Sequence, residues 1–207
     1  MIGGKTERQR RLNGGNRVQR VYWIRHAESD HSVHSDALRP LTARGLEGRY
    51  RVEGYLAGRA VGAVLSSPYR RAYDTVQPFA ASRGLQVLCD DRFRERRVAG
   101  EGEWIEDFSD FSPRQWADFS YHLPGGESLA QVEERMVAGL QDALAAHPGE
   151  DLVIGTHGTA LCVLIHHFVP AFGLEQFAEM MEKLPWAVCM TFEEGRFSGW
   201  EVADISF

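Results

Sequence analysis

The sequence predicts an α/β domain, and three observations carry that expectation. Short apolar runs alternate with longer amphipathic stretches along the chain, the order in which strands and their connecting helices take turns. With 43% hydrophobic and 25% charged residues, the composition is that of an ordinary globular protein and not of a disordered one. At 207 residues the chain is long enough for one generous domain with a substantial buried core.

Taken in order, Val21-Tyr22-Trp23-Ile24 reads as a buried strand. Leu41 to Leu56 follows as a helix with Thr42 as its N-cap. Val61 to Leu65 is a second strand. Pro68 then occupies a first helical turn, where its missing N–H costs nothing, and Tyr69 to Ala81 continues as helix. Gln86 to Cys89 is a short third strand. Residues 90–123 combine charge with the aromatics Trp104, Phe108, Phe111, Trp116, Phe119 and Tyr121. This segment is expected to form short helices as a partial lid, its aromatics most simply packing the core. Ser128 to Ala146 is a long helix with Leu129, Val132, Met136, Leu140 and Leu144 on one face. Leu152-Val153-Ile154 is a fourth strand, with helices expected from Thr159 to Phe168 and from Phe172 to Glu182. Val188 to Phe192 and Trp200 to Val202 close the chain as a hairpin turning at Glu194-Gly195-Arg196.

The net charge of −6 argues against nucleic acid as a partner, since that needs a clustered positive surface. No stretch suits a membrane span. Residues 1–19 are basic without the apolar core of a secretory signal and are expected to be a flexible arm, leaving 20–207 as a single domain. Cys89, Cys162 and Cys189 have no metal-like spacing and are expected to be small apolar residues in a reducing cytoplasm.

Chemistry concentrates just after strands. The first strand ends in Arg25-His26-Ala27-Glu28-Ser29, the fourth in Gly155-Thr156-His157-Gly158-Thr159, and the second in Ser66-Ser67-Pro68-Tyr69-Arg70-Arg71. In an open α/β sheet the crevice outside the strands' carboxyl ends is where ligands bind. The glycines beside His157 allow close backbone approach, and the helix that follows offers free N–H groups to an anion. Three strands delivering Arg or His to one edge describe a pocket for a dianion.

These segments resemble the histidine phosphatase superfamily, which includes the phosphoglycerate mutases. Arg25-His26-Ala27-Glu28-Ser29 is similar to its R-H-G-E-[ST] signature, and Pro40-Leu41-Thr42 through Gly45 to the P-L-T-x-x-G that follows. Ser66-Ser67-Pro68 to Thr75 resembles S-S-x-x-x-R-A-x-x-T, which puts the family's arginine at Arg71. Phe93-Arg94-Glu95, Pro124-Gly125-Gly126-Glu127-Ser128 and Thr156-His157-Gly158 resemble further motifs, in the family's order. The resemblance implies a three-layer α/β/α sandwich, phosphoglycerate mutase-like, around a mostly parallel sheet of about six strands. Two departures stand out. Ala27 replaces a glycine, and the stretch Asp30-His31-Ser32-Val33-His34-Ser35-Asp36 rewrites the region where the mutases carry Asn, with Ser32 in its place.

What the resemblance implies is a phosphatase acting on a small-molecule phosphomonoester. His26 is the expected nucleophile, with His157 beside it. Arg25, Arg71 and Ser32 are expected to bind phosphate. Glu95 is the expected acid and then base, a role that requires a protonated carboxyl and so activity below neutral pH. Glu101, Glu103, Glu106 and Asp107 compete with Glu95 for that role, and Arg94, Arg96 and Arg97 allow Glu95 simply to pair with a neighbour. Glu28 is expected to brace its own loop. His31 and His34 form no metal set with His26, and His166 and His167 need no function at a helix C-terminus. No metal or cofactor is expected, and oligomeric state stays open. The alternatives are a phosphoglycerate mutase, a metal-dependent hydrolase, or a catalytically weak phosphate-binding protein.

Overall fold

The structure, a computed structural model, describes residues 18–100 and 110–206. Strands β1 (Val18–Arg25), β2 (Val61–Ser66), β3 (Val87–Cys89), β4 (Asp151–Thr156), β5 (Trp186–Glu193) and β6 (Arg196–Ala203) form one sheet in the order β3-β2-β4-β1-β5-β6. The first four of that order run parallel, while β5 and β6 pair antiparallel. The helices are α1 (Ala43–Leu56), α2 (Arg70–Ser82), α3 (Phe111–Ala117), α4 (Leu129–Ala146), α5 (Gly158–Phe168) and α6 (Leu174–Met181).

Strand alternation divides the core between the two faces of the sheet. Val21 and Trp23 of β1 pack with Leu129, Met136 and Leu140 of α4 and the apolar run of α5. Tyr22 and Ile24 point the other way, toward Val52 and Leu56 of α1 and Val76 and Phe79 of α2. Side chains buried this completely contribute about 1.5–3 kcal/mol each. The expected sandwich is therefore present.

Local signals set most boundaries. Thr42 caps α1 by accepting the N–H of Gly45 (3.0 Å), and Ser128 caps α4 in a reciprocal box with Gln131. Glu194 and Gly195 take φ of 50° and 75°, the paired positive values of a tight hairpin turn, so Arg196 already belongs to β6. Two glycines allow backbones to touch: a Cβ at Gly45 would lie 2.0 Å from Glu28 O, and one at Gly126 would lie 2.2 Å from Val98 O.

Several expectations are corrected. α1 and α2 begin later than expected, at Ala43 and Arg70, and Pro68 lies outside its helix. β1 begins at Val18, so Val18 and Gln19 leave the expected arm; the rest of that arm lies outside the described residues. Among the described residues of the 90–123 segment, a 3-10 turn (Asp91–Phe93) and the short α3 are helical, while Trp104, Phe108, Glu101, Glu103, Glu106 and Asp107 lie outside the described residues. Phe111 is buried and Trp116 packs against Phe119, His166 and Phe177, so these aromatics do join the core. Cys162 and Cys189 are buried, whereas Cys89 is exposed at the end of the edge strand β3. Among the described residues, no helix is long and apolar enough to cross a membrane.

Candidate active site

Strands β2, β4 and β1 are parallel neighbours, so their carboxyl ends lie side by side, Ser66 opposite Gly155 and Arg25 opposite Thr156. The residue after each strand is Ser67, His157 and His26. Backbone bonds fix the three together: His26 N donates to Thr156 O (3.0 Å) and Ser67 N to Gly155 O (2.9 Å). The helices α2 and α5 begin immediately beyond, which brings Arg71 and the first N–H groups of α5 to the same edge.

His26 and His157 face each other with ring centroids 5.3 Å apart, both buried. His26 Nδ1 lies 2.7 Å from the carbonyl of Ala27. A carbonyl can only accept, so Nδ1 carries the proton and Nε2 is left with a bare lone pair. Arg71 Nε donates to that Nε2 at 3.1 Å. Burial, reinforced by the Arg71 and Arg25 charges, holds the His26 ring well below the ordinary imidazole range. His157 is held low by burial and then by Arg71. Both rings are thus neutral across ordinary pH. Thr75 ties the two motifs together, accepting Ala27 N–H (3.0 Å) and donating to Arg71 O (2.7 Å).

The guanidiniums are held by backbone. Arg25 donates through one terminal nitrogen to Met180 O (2.5 Å) and Lys183 O (3.0 Å), while its buried Nε has no partner among the described residues. Arg71 donates to Asp36 O (2.5 Å) and pairs with the Asp36 carboxylate (3.1 Å). That carboxylate also meets Arg39 (3.6 Å), a second buried guanidinium, which in turn donates to Val33 O (3.1 Å). Tyr69 forms a wall, its ring 5.3 Å from that of His157 and beneath the Arg71 guanidinium.

Glu95 sits at the start of α5. It accepts the N–H groups of Thr159 (3.1 Å) and Ala160 (3.1 Å), and that of Arg96 (2.8 Å). The segment carrying it is fastened by Glu127, which is buried between Arg94 and Arg135, and by Arg135, which donates to Arg92 O (2.7 Å) and Arg94 O (2.8 Å).

Of the residues expected from sequence, the structure brings His26, His157 and Arg71 into one cluster, with Arg25 and Glu95 on neighbouring elements beside it. Ser32 stands apart on an exposed loop, its hydroxyl donating to Asp30 (2.7 Å). Glu28 braces its loop as expected, accepting from Thr42 Oγ1 (2.7 Å). Arg70 is exposed and pairs with Asp74 (3.3 Å). His31 and His34 are exposed, and among the described residues no group of His, Cys, Asp or Glu is placed to hold a metal. His166 and His167 bond to Phe172 O (2.8 Å) and Glu133 (2.8 Å) near the end of α5. Sequence reasoning missed Asp36, Arg39, Ser67 and Glu127 as members of the site and its support. Ser67 and Glu127 lie inside recognisable motifs, so their motif positions were the available signal; Asp36 and Arg39 carry none.

A model of the histidine phosphatase superfamily (branch 1) matches residues 21–202. The chain is 28% identical over 174 residues to "Probable phosphoglycerate mutase GpmB" of Serratia proteamaculans, covering 79% of this chain and 80% of that one. It is 31% identical over 160 residues to the Bifunctional protein Rv2228c of Mycobacterium tuberculosis, covering 70% of this chain but only 43% of that longer protein. Among solved structures, the mycobacterial glucosyl-3-phosphoglycerate phosphatase Rv2419c superposes with a TM-score of 0.70 at 20% identity, covering 91% of this chain and 98% of that one.

Proposed function

The chain belongs to the histidine phosphatase superfamily, and we propose that it hydrolyses small phosphomonoesters through a phosphohistidine on His26. One observation carries this reading. The bare Nε2 of His26, fixed by the Nδ1–H bond to Ala27 O, lies against Arg71 and faces His157 at the edge where three parallel strands end.

In the proposed cycle Nε2 attacks phosphorus and the P–O bond to the leaving group breaks, the leaving oxygen taking a proton from Glu95. Water then attacks the phosphohistidine, Glu95 takes its proton, and inorganic phosphate departs from a regenerated His26. To act as acid, one Glu95 oxygen exchanges a backbone contact at α5 for the leaving oxygen. Arg71, Arg25 and His157 neutralise and orient the equatorial oxygens, a preorganised role in which each such donor lowers the barrier by about 3 kcal/mol. A mutase would share the first half of this cycle and return the phosphoryl group to a substrate hydroxyl. The Serratia relative's name favours that second reading; the rewritten loop from Asp30 to Asp36 favours hydrolysis. Cytoplasmic location and lack of need for a metal or cofactor belong to the same proposal.

The test is p-nitrophenyl phosphate hydrolysis from acid to neutral pH with EDTA present, comparing wild type with His26→Ala. Chelator-resistant release that vanishes in the variant is expected. A fully active His26→Ala overturns the reading, and inert wild type that interconverts phosphoglycerates transfers it to the mutase.

A further inference from the structure

We infer that Ser67 is a positioning residue: its hydroxyl donates to His157 Nε2 and thereby keeps the imidazole proton on Nδ1, where it can meet a phosphoryl oxygen. The inference rests on the phosphatase reading for its use, and on hydrogen-bond geometry and a neutral His157 ring for its substance. Ser67 is fully buried, the first residue beyond β2, and its Oγ lies 2.8 Å from His157 Nε2.

A serine hydroxyl has one proton to give and two lone pairs to receive. Into Ser67 Oγ comes the N–H of Tyr69 at 3.1 Å. If His157 Nε2 also held a proton, Oγ would accept twice, and its own buried proton would face no acceptor among the described residues. That leaves a polar hydrogen unmade in a fully buried place, a costly state. With the proton on Nδ1 instead, Ser67 donates to Nε2, accepts from Tyr69, and is satisfied, and the polar hydrogen left over is Nδ1–H, which a bound oxyanion can accept where the enclosed Ser67 proton could not.

The same choice decides what His157 shows to the site. Its Nδ1 is buried and has no partner among the described residues. As a bare lone pair it would repel an oxyanion; as N–H it is a donor in place. Because burial and Arg71 keep the ring neutral, it cannot donate from both nitrogens, so the tautomer matters. His26 and His157 therefore carry their protons on the same atom but use opposite ones. His26 offers its lone pair from Nε2, with Nδ1–H anchored on Ala27 O, and His157 offers Nδ1–H, with Nε2 anchored on Ser67.

The test is long-range proton–nitrogen NMR of the imidazoles in the full chain, with His157→Gln used to assign the ring. Wild type is expected to show His157 protonated at Nδ1 and bare at Nε2. Ser67→Ala is expected to lose that preference and to bind orthovanadate about tenfold more weakly, while Ser67→Thr, which keeps the hydroxyl, retains the tautomer. A wild-type ring protonated at Nε2 overturns the inference, and this needs no variant to fold. An unchanged His157 tautomer in Ser67→Ala overturns it too. Activity surviving in His26→Ala would sink the phosphohistidine reading and leave the tautomer assignment standing.

Discussion

Replacing Glu127 with Gln should destabilise this protein far more than loss of an ordinary surface carboxylate would. Glu127 is 6% exposed and accepts five hydrogen bonds, two from Arg94, two from Arg135 and one from the Arg97 backbone. Burial pushes its carboxyl up, but the Arg94 bonds, the Arg135 charge and the Arg97 N–H outweigh it and bring the group down from 4.5 to about 2. Arg94 is the stronger partner by geometry, reaching the carboxylate at 2.5 and 2.8 Å against 3.0 and 3.3 Å for Arg135. The downward displacement corresponds to about 3 kcal/mol of stability at neutral pH. A buried pair broken on one side costs a similar amount. Since the folded group lies below the unfolded one, this stability is full above pH 4.5 and shrinks as pH falls toward about 2. Urea unfolding followed by tryptophan fluorescence should show wild type and Glu127→Gln separated by about 3 kcal/mol at pH 7 but by only roughly half that near pH 3. In melting temperature the neutral gap is roughly 6–12 °C. A separation below about 1 kcal/mol at pH 7, or one equally large at both pH values, would refute the reasoning.

Two further outcomes follow from the site. Because the Asp36 carboxylate sits on Arg71 and Arg39, where a bound phosphate would compete with it, Asp36→Asn should tighten inorganic phosphate binding severalfold by calorimetry; weaker binding would show that Asp36 aligns Arg71 instead. With both imidazoles held below the usual 6.5, kcat/KM should persist through mildly acid pH and fall only as His26 Nε2 takes a proton, and stability should likewise decline as pH drops below 6.5, where the unfolded rings charge first. An acid limb at or above 6.5 would contradict the neutral pair.

The parts of the fold visible in the sequence are those that local chemistry decides. β1, β2 and β4 are runs of consecutive apolar residues because helices cover both faces of the sheet. Gln19 and Arg20 were not visible as strand, since they join β1 by pairing with Phe192 and Thr191 of β5, a partnership 171 residues or more away that composition does not encode. In the 90–123 segment the described short helices are the 3-10 turn and α3. Its described residues are fastened by long-range contacts, Glu127 and Arg135 on the Arg92–Arg97 backbone and Gln115 on Arg96, Tyr121 O and Glu127 O, which helical periodicity does not encode. At the site, motif spacing found His26, His157 and Arg71, but Asp36 and Arg39 enter only because their loop folds back across α2, where Arg70 N donates to Ala37 O (3.0 Å).

The division of labour between arginine and histidine explains why the pocket can be so basic inside a chain of net charge −6. Arg25, Arg71, Arg96 and Arg135 are all pulled down by burial, yet a guanidinium stays protonated through any such displacement. Each is accordingly held by fixed acceptors: Arg25 by Met180 and Lys183 carbonyls, Arg71 by Asp36, Arg96 by Gln115, Arg135 by two carbonyls and Glu127. Permanent charge of this kind can balance a phosphoryl dianion but cannot attack it. In the proposed cycle His26 does that, kept neutral first by burial and then by Arg71 and Arg25. On that proposal the field that would suit a phosphoryl dianion also adds to burial in leaving a lone pair on His26, so weakening Arg71 should harm the proposed nucleophile and binding site together, and its loss should not be rescued by Lys, which lacks the Nε–H aimed at His26.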